Sequence, residues 1–447
     1  MTDSEFINKI LDAAKSKDGV KCEVFATSGK SIEAEAKEGE VESLERAQSS
    51  GFSIRILRDN RQGLAYSTDF EKWPEVLENA LEAAKWTQRD ENIEFSPKQI
   101  YTDVDIYDKN IVSVKEDDVI AIAMDIERAA LNESPKIKRV RNASASVSVS
   151  EIHIANTDGL SGAYSSTHCS FSVMAMAEEN GDSQSGWHYE TNRYLPKAST
   201  AASVGKTAAL KALELLGAKA FKSLKTSIVM DNSVAVDFLS LIASSLSSEN
   251  VQKGKSMLAD KLSQAIISKH INIIDDATMP GNSASRPFDS EGVPSQRTVL
   301  IDKGTLKGYL YNLYTAKKDN VRSTGNAARG GIKGFPLVGS SNLYIEPAVE
   351  KYKYKNLDEM FKEMGTGLYI TDAMGVHMAN RITGDFSVGV SGILIENGVR
   401  AFPFKEAVMS GNLLDFFKNI EAFTSEIKFY GRYGSPSLLI KDVDISG

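Results

Sequence analysis

The hydrophobic period of this chain changes twice within the first 90 residues, and this constrains the fold more than any other feature. Residues 4–16 and 70–86 place apolar side chains on one face of a helix. Between them lie short segments divided by Ser-Gly, Gly-Glu, Ser-Ser-Gly and Asp-Asn-Arg, which predicts an antiparallel meander. The predicted strands are 20–27, 31–37, 41–47, 51–57 and 63–67. Helices segregated from mainly antiparallel sheets indicate the α+β class.

The remainder of the chain divides at two places. A polar, irregular stretch at 90–112 precedes predicted helices at 116–131 and 198–221 and an alternating strand at 144–150. A short buried strand at 226–230 then opens a half with many Gly and Asn turns and short β segments. We predict an N-terminal domain at 1–100 and a middle domain at 110–222, both α/β-meander regions. A β-rich C-terminal domain follows at 223–447.

Composition and charge argue against several partners and compartments. The 447 residues carry a formal net charge of -8 and no convincing basic patch, so no nucleic-acid partner is expected. No apolar stretch approaches the roughly 18 residues of a membrane span, so no membrane partner is expected. Cys22 and Cys169 are far apart, and the N-terminus has no apolar signal-peptide core. We therefore expect a cytoplasmic protein.

No known hydrolase motif is complete in this chain. None of the five histidines is followed by glutamate, and no two lie within one helical turn. This excludes a zincin-type helix but leaves a site of distant histidines open. Ser203-Val-Gly-Lys matches a Ser-x-x-Lys pair and the end of a phosphate-binding loop. Thr200 stands where that loop needs glycine, and the surroundings are Ala-rich, so the segment is predicted to be helical.

An ordered set of short motifs extends over nearly the whole chain. The most informative run is Pro287-Phe-Asp-Ser-Glu-Gly-Val-Pro, and Ser323-Thr-Gly-Asn-Ala-Ala-Arg follows it. In their order and spacing the motifs resemble the TldD/PmbA family of metallopeptidase subunits. The segments that carry the resemblance are 51–55, 63–68, 156–159, 287–297, 299–310, 323–329, 342–345, 380–387, 393–398 and 410–414.

The resemblance also implies which type of subunit this is. Peptidase members of the family carry His-Glu-x-x-x-His on a helix and a cysteine near the C-terminus. Aligned with that motif, on a predicted helix at 234–251, are Ser240 and Ser245 at the histidine positions and Leu241 at the glutamate position. Serine is a poor zinc ligand, leucine cannot act as a base, and residues 429–440 contain no cysteine. The chain therefore resembles the PmbA/TldE type, with no metal, no catalytic residue and no cofactor of its own.

The family suggests both a partner and a substrate. The expected partner is a zinc-bearing TldD-like paralogue, and the expected substrates are unfolded or short peptides that a cytosolic metalloprotease degrades or processes. Members are also linked to modulation of DNA gyrase. A dimer is expected, either with the paralogue or with a second copy. The alternative is a homodimeric, non-enzymatic peptide-binding or scaffold protein.

Two motifs supply candidate cleft residues, and each has a structural alternative. Asp289 and Glu291, followed by Gly292, could be paired carboxylates for acid–base chemistry or a hydrogen-bonded turn before a strand. The Thr324, Gly325 and Asn326 segment is predicted to be a turn with free backbone amides. Such a turn could hold an extended peptide by strand addition or simply close a hairpin. The sequence leaves both choices open.

Overall fold

The computed structural model describes residues 3–196, 198–220 and 222–447. In the first half of the chain, helices pack against long strands. The helices are α1 (Asp3–Lys15), α2 (Trp73–Trp86), α3 (Lys109–Ser113), α4 (Glu116–Asn132) and α5 (Ala198–Glu214), with a 3-10 helix at Phe70–Lys72. The strands are β1 (Lys21–Lys37), β2 (Glu40–Arg58), β3 (Arg61–Ser67), β4 (Ile137–Asn156), β5 (Ser161–Glu179) and β6 (Asp182–Asn192).

These six strands form one antiparallel sheet in the order β3-β2-β1-β4-β5-β6. Because β1 pairs with β4 over residues 23–36, the predicted N-terminal and middle domains share this sheet. One apolar core lies under α1 and α2 and includes Ile10, Ile54 and Leu77. A second lies under α4 and α5 and includes Ile126 and Val204. The backbone hydrogen bonds of the sheet therefore unite the first half of the chain.

The strand breaks predicted at Ser28-Gly29 and at 49–51 are wrong. Gly29 pairs with Ser49 inside an uninterrupted ladder, so β1 and β2 each continue through the small residues. At Gly51, packing against the C-terminal half requires the small residue. A methyl group on Gly51 would lie 2.6 Å from the Ile332 side chain of the C-terminal half, so a larger residue would push the two apart.

The other two meander turns are confirmed by positive φ angles, at Gly39 and at Asp59 with Asn60. The alternating strand at 144–150 is also confirmed. Ala145 and Val147 are buried in β4, while Ser144, Ser146 and Ser148 are half-buried. Period-two alternation therefore predicted correctly which face of this strand packs on the core.

The C-terminal half consists of short strands and five helices within the described residues. The helices are α6 (Asn232–Ser245), α7 (Ser248–Gln252), α8 (Leu313–Lys318), α9 (Leu357–Met364) and α10 (Leu413–Lys418), with 3-10 helices at Gly331–Lys333, Glu350–Tyr352 and Val376–Met378. The strands are β7 (Lys219–Ala220), β8 (Leu224–Met230), β9 (Ile271–Asp276), β10 (Arg297–Asp302), β11 (Thr305–Leu306), β12 (Ala327–Ala328), β13 (Leu337–Val338), β14 (Leu343–Pro347), β15 (Lys353–Tyr354), β16 (Gly367–Met374), β17 (Asp385–Glu396), β18 (Val399–Asn412), β19 (Ile420–Thr424), β20 (Lys428–Tyr430), β21 (Tyr433–Ser435) and β22 (Leu438–Ser446).

Two larger sheets organise this half. Their strand orders are β11-β10-β9-β14-β21-β20 and β15-β19-β22-β8-β16-β17-β18-β7. An additional pairing of β18 with β22 closes β22, β8, β16, β17 and β18 into a barrel. On α6, the Phe238 ring lies 5.2 Å from that of Phe386 and 5.3 Å from that of Phe416. Most strand pairs are antiparallel, so the predicted α+β class with a β-rich C-terminal region is confirmed.

The helix predicted at 234–251 is interrupted. The Asp231 carboxylate caps the first turn of α6, which ends at Ser245. The amide of Leu310 donates to the Leu246 carbonyl at 2.8 Å, and the amide of Ser248 donates to the Leu310 carbonyl at 3.0 Å. Because this tertiary pairing needs extended backbone, the chain leaves helical geometry there and resumes as α7.

A glycine sets how closely α5 approaches α4. The predicted helix at 198–221 ends earlier, at Glu214, and residue 221 lies outside the described residues. Ser203-Val-Gly-Lys lies inside α5, so the segment is a helix, as predicted, and not a phosphate-binding loop. A methyl group on Gly205 would lie 2.1 Å from the carbonyl oxygen of Ile126. The glycine is therefore a contact point between two helices.

Gly205→Ala is expected to destabilise the fold by about 2 kcal/mol. Alanine gains about 1 kcal/mol of helix propensity, but overpacking against the rigid α4 backbone costs about 3 kcal/mol. Chemical denaturation measures the difference. The control is Ser203→Ala, an exposed position on α5 that gains propensity without a clash. A Gly205→Ala variant as stable as Ser203→Ala would contradict the close approach of the helices.

Candidate functional site

α6 carries the three positions that we predict to correspond to the family's metal motif. Ser240 is half-buried, and its hydroxyl donates to the Asp237 carbonyl at 2.7 Å. Leu241 is 1% exposed and belongs to the core of the C-terminal half. Ser245 is fully buried, and its hydroxyl donates to the Arg381 carbonyl at 3.3 Å. Each side chain already has a role in packing or in local hydrogen bonding.

These positions do not fit a zinc ion. Two residues five apart on a regular helix differ by about 140° around its axis. Accordingly, Ser240 lies toward the surface and Ser245 points into the core. Across residues 3–196, 198–220 and 222–447, no group of three or more His, Cys, Asp or Glu side chains is arranged to hold a metal. That the purified chain carries no zinc stays a prediction.

Asp289 and Gly292 build a tight turn. The Asp289 carboxylate accepts from the amides of Glu291 at 2.9 Å, Val293 at 3.0 Å and Ala327 at 2.8 Å. Gly292 has a φ of +74°, which favours glycine. Burial raises the pKa of Asp289, although the three amides and nearby Arg286 oppose the shift. Its carboxylate thus ties the turn to β12, which begins at Ala327.

Glu291 points away from that turn toward the first half of the chain. One carboxylate oxygen accepts from the Leu313 amide at 2.8 Å, at the start of α8. The other lies 3.5 Å from Nη1 of Arg55 on β2. Burial raises the pKa of Glu291 to about 7, and the nearby carboxylate of Asp289 adds to the shift. Glu291 therefore contacts both halves of the chain while Asp289 organises the loop.

The sequence analysis did not predict the buried charged side chains near Glu291. Glu23 on β1 is fully buried and accepts from Arg55 Nε at 3.1 Å and Nη2 at 3.0 Å. Arg329, from the loop after β12, also donates to Glu23. Burial would raise the pKa of Glu23, but Arg55 and Arg329 outweigh it and hold the pKa below 4.5. One signal in the sequence could have indicated this buried charge: Glu23 lies between apolar residues in a predicted strand.

The two arginines lie against aromatic rings as well. The guanidinium carbon of Arg55 is 4.7 Å from the centre of the Phe95 ring, and that of Arg329 is 4.8 Å from the Phe25 ring. Cation–π attraction of this kind strengthens when water is excluded. We call Glu23, Arg55, Glu291 and Arg329 the buried charge junction. It joins β1 and β2 to the loops of the C-terminal half.

The backbone amides of Thr324, Gly325 and Asn326 are not free, contrary to the sequence prediction. The amides of Thr324 and Asn326 both donate to the Tyr311 carbonyl at 3.3 Å, and that of Gly325 donates to the Ser323 hydroxyl at 3.2 Å. An incoming peptide strand would have to displace these bonds. These hydrogen bonds therefore favour a structural role for the turn over peptide binding by strand addition.

The side-chain amide nitrogen of Asn326 is also engaged, whereas its buried Oδ1 has no hydrogen-bond partner. Its amide group donates to Asp275 Oδ1 at 2.8 Å and to the Gly339 carbonyl at 3.2 Å. The structure thus brings the 289–292 and 324–326 motifs together through the hydrogen bond from Ala327 to Asp289. Ser240, Leu241 and Ser245 take no part in these bonds.

Family models match along most of the chain. PmbA/TldA metallopeptidase domain 1 matches residues 22–85, the central domain matches 109–216, and the C-terminal domain matches 223–447. The chain belongs to the PmbA/TldD metallopeptidase family. Metalloprotease PmbA of Escherichia coli O157:H7 is 29% identical over 450 residues, covering 99% of this chain and 96% of the relative. Metalloprotease MJ0996 of Methanocaldococcus jannaschii is 27% identical, covering 96% and 94%.

Solved structures share the whole fold. A candidate modulator of a DNA gyrase from Thermotoga maritima matches with a TM-score of 0.92 and 28% identity, with 100% of each chain covered. TldE from Thermococcus kodakarensis matches with a TM-score of 0.87 over 99% of this chain and 100% of its own. At 21% identity, the second likeness concerns the fold alone. In the described part of this chain, no helix has the length and apolar character of a membrane span.

Proposed function

We propose that this chain is the non-zinc, PmbA/TldE-like subunit of a two-chain cytoplasmic peptidase. A zinc-bearing TldD-like paralogue supplies the hydrolytic site, and this chain helps to enclose unfolded or short peptides. The proposal rests on the hydrogen bonds and burial of three side chains on α6. Its serines at 240 and 245 donate to backbone carbonyls, and Leu241 is a core residue, so none of the three can bind zinc or activate water.

The test compares each chain alone with the mixture. Unstructured peptides are incubated with this chain, with the zinc-bearing paralogue and with both, and products are identified by mass spectrometry. We expect no cleavage by this chain alone, less than stoichiometric zinc after dialysis, and faster cleavage by the mixture than by the paralogue. The control is Ser240→Ala in the mixture, which should leave the rate unchanged because the hydroxyl has only a local partner.

The possible outcomes separate the hypotheses. Chelator-sensitive cleavage by this chain alone would overturn the non-catalytic role. A mixture no faster than the paralogue, together with a homodimeric mass in light scattering, would favour the homodimeric peptide-binding or scaffold protein instead.

A further inference from the structure

A cavity of about 120 Å³ lies between the middle region and the C-terminal half. One wall is formed by β6 and α5, and the other by α6, β16 and Tyr430 of β20. The cavity is separate from the buried charge junction and from the loops at 289–292 and 324–326, since it includes none of their residues. It lies on the face of α6 that carries Asp237, one turn before Ser240.

Two carboxylates that form no close ion pair face this cavity. Asp237 comes from α6 and Asp372 from β16, and both are exposed to solvent. Neither forms an ion pair within 4.0 Å among the described residues, and Lys211 on the opposite wall also forms none there. Partial burial raises the pKa of Asp237 to about 6, and repulsion from Asp372 adds to it. The pair therefore lacks a compensating positive charge at bonding distance.

A neutral, buried histidine forms part of the cavity wall. His188 on β6 lines the cavity, and its side chain is 2% exposed. Its Nε2 lies 3.5 Å from a carboxylate oxygen of Glu190, which favours the tautomer with the proton on Nε2. Burial lowers the pKa of His188, so the ring is neutral at pH 7. Nδ1 has no hydrogen-bond partner, and it is buried behind the cavity wall.

Aromatic rings complete the rim. The rings of Trp187 and Tyr189 lie 4.7 Å apart, and that of Tyr430 lies 5.7 Å from Tyr189. Trp187 is 51% exposed, so its face is open to a ligand. Aromatic faces attract cations, most strongly where water is partly excluded. All of these features suit a group that is positively charged and donates hydrogen bonds.

We propose that this cavity binds the guanidinium or ammonium group of a cationic peptide, with Asp237 and Asp372 as counter-ions. The inference rests on the proposed function, because it assumes that peptides reach this subunit. It adds a preference for basic residues. Lys211 competes with such a ligand, because its positive charge lies in the same cavity as Asp237 and Asp372. A bound cation would therefore share the two carboxylates with Lys211.

The test measures binding to this chain alone by calorimetry. The probe is an end-blocked pentapeptide, Gly-Gly-Arg-Gly-Gly, and its comparison carries citrulline, which keeps the shape and removes the charge. We expect the arginine peptide to bind about tenfold more tightly, since one favourable charge contact is worth about a factor of ten. A third peptide, with a free amino terminus and no arginine, shows whether the cavity takes a side chain or a chain terminus.

Variants of the cavity give opposite expected effects. Asp237→Asn should weaken the arginine peptide about tenfold, and Lys211→Met should strengthen it by removing the competing charge. Glu396→Gln, an exposed charge change on β17 away from the cavity, should have no effect. Unfolding midpoints confirm that each variant is folded.

Equal binding of the arginine and citrulline peptides would overturn the proposal, as would weaker binding by Lys211→Met. If the mixture with the paralogue still cleaves peptides in that case, the proposed function stands and only the cation site fails.

Discussion

Replacing Leu241 with glutamate is expected to unfold the C-terminal half of the protein. Leu241 is 1% exposed and lies in the continuous apolar core under α6. A carboxylate placed there would be ionised without a partner or protonated at a large cost. Buried unpaired charges produce the exceptional losses, above about 5 kcal/mol. Restoring the family's glutamate at this position would thus remove the fold before it created any catalysis.

The measurement is the urea unfolding midpoint, monitored by circular dichroism because all three tryptophans lie in the first half of the chain. Leu241→Met is the matched control, because a volume-conserving apolar change costs less than about 1.5 kcal/mol. Ser240→His, at the half-buried neighbouring position, should remain folded. If the urea unfolding midpoints of Leu241→Glu and Leu241→Met differed by less than about 1 M, the side chain at position 241 would have to reach solvent.

Glu23→Ala is expected to destabilise the protein by about 3–5 kcal/mol, because breaking a buried ion pair leaves an uncompensated charge. The variant removes the shared partner of Arg55 and Arg329, and both guanidinium groups stay buried. Arg55 keeps Glu291 at 3.5 Å. Arg329 keeps its contact with the Phe25 ring and an attraction to Glu291, but no ion pair within 4.0 Å among the described residues. The loss therefore weakens the contact between β1 and the C-terminal loops.

Two comparisons make this result specific. Glu42→Ala breaks the exposed pair with Lys37, which joins β1 and β2, and should change stability little.

The second comparison is the pH dependence. The pKa of Glu23 is held below 4.5, so the junction contributes fully to stability above that pH and loses its contribution as the pH falls further. The stability difference between wild type and Glu23→Ala should accordingly narrow in acid. Equal stability of the two proteins at pH 7 would contradict the ion network.

The sequence predicted several local elements because their signals are local. Helical spacing gave α1, α2 and α4 almost to the residue, and period-two alternation gave the half-buried face of β4. Breaks at Ser28-Gly29 and 49–51 were wrong, since small residues mark both turns and close approaches. Gly51 is small because Ile332 packs on it from more than 280 positions away in the chain.

The candidate site was only partly accessible to sequence reasoning. The ordered motifs identified the family and placed Ser240, Leu241 and Ser245 on a helix, and the structure adds that Leu241 is core. The pairing of Glu23 with Arg329 joins residues 306 positions apart, and no local pattern encodes it. The cavity of Asp237, Asp372 and His188 likewise gathers three separate elements.

By itself, the sequence determined the α+β class and the positions of α1, α2 and α4. These properties follow from residue type and from periodicity within about 20 residues. Only the tertiary structure decided that strands β1 to β6 share one sheet, that the amides of 324–326 are engaged, and that buried charges join the two halves. The reason is physical: a hydrogen bond or an ion pair depends on distances of about 3 Å, and long-range folding sets those distances.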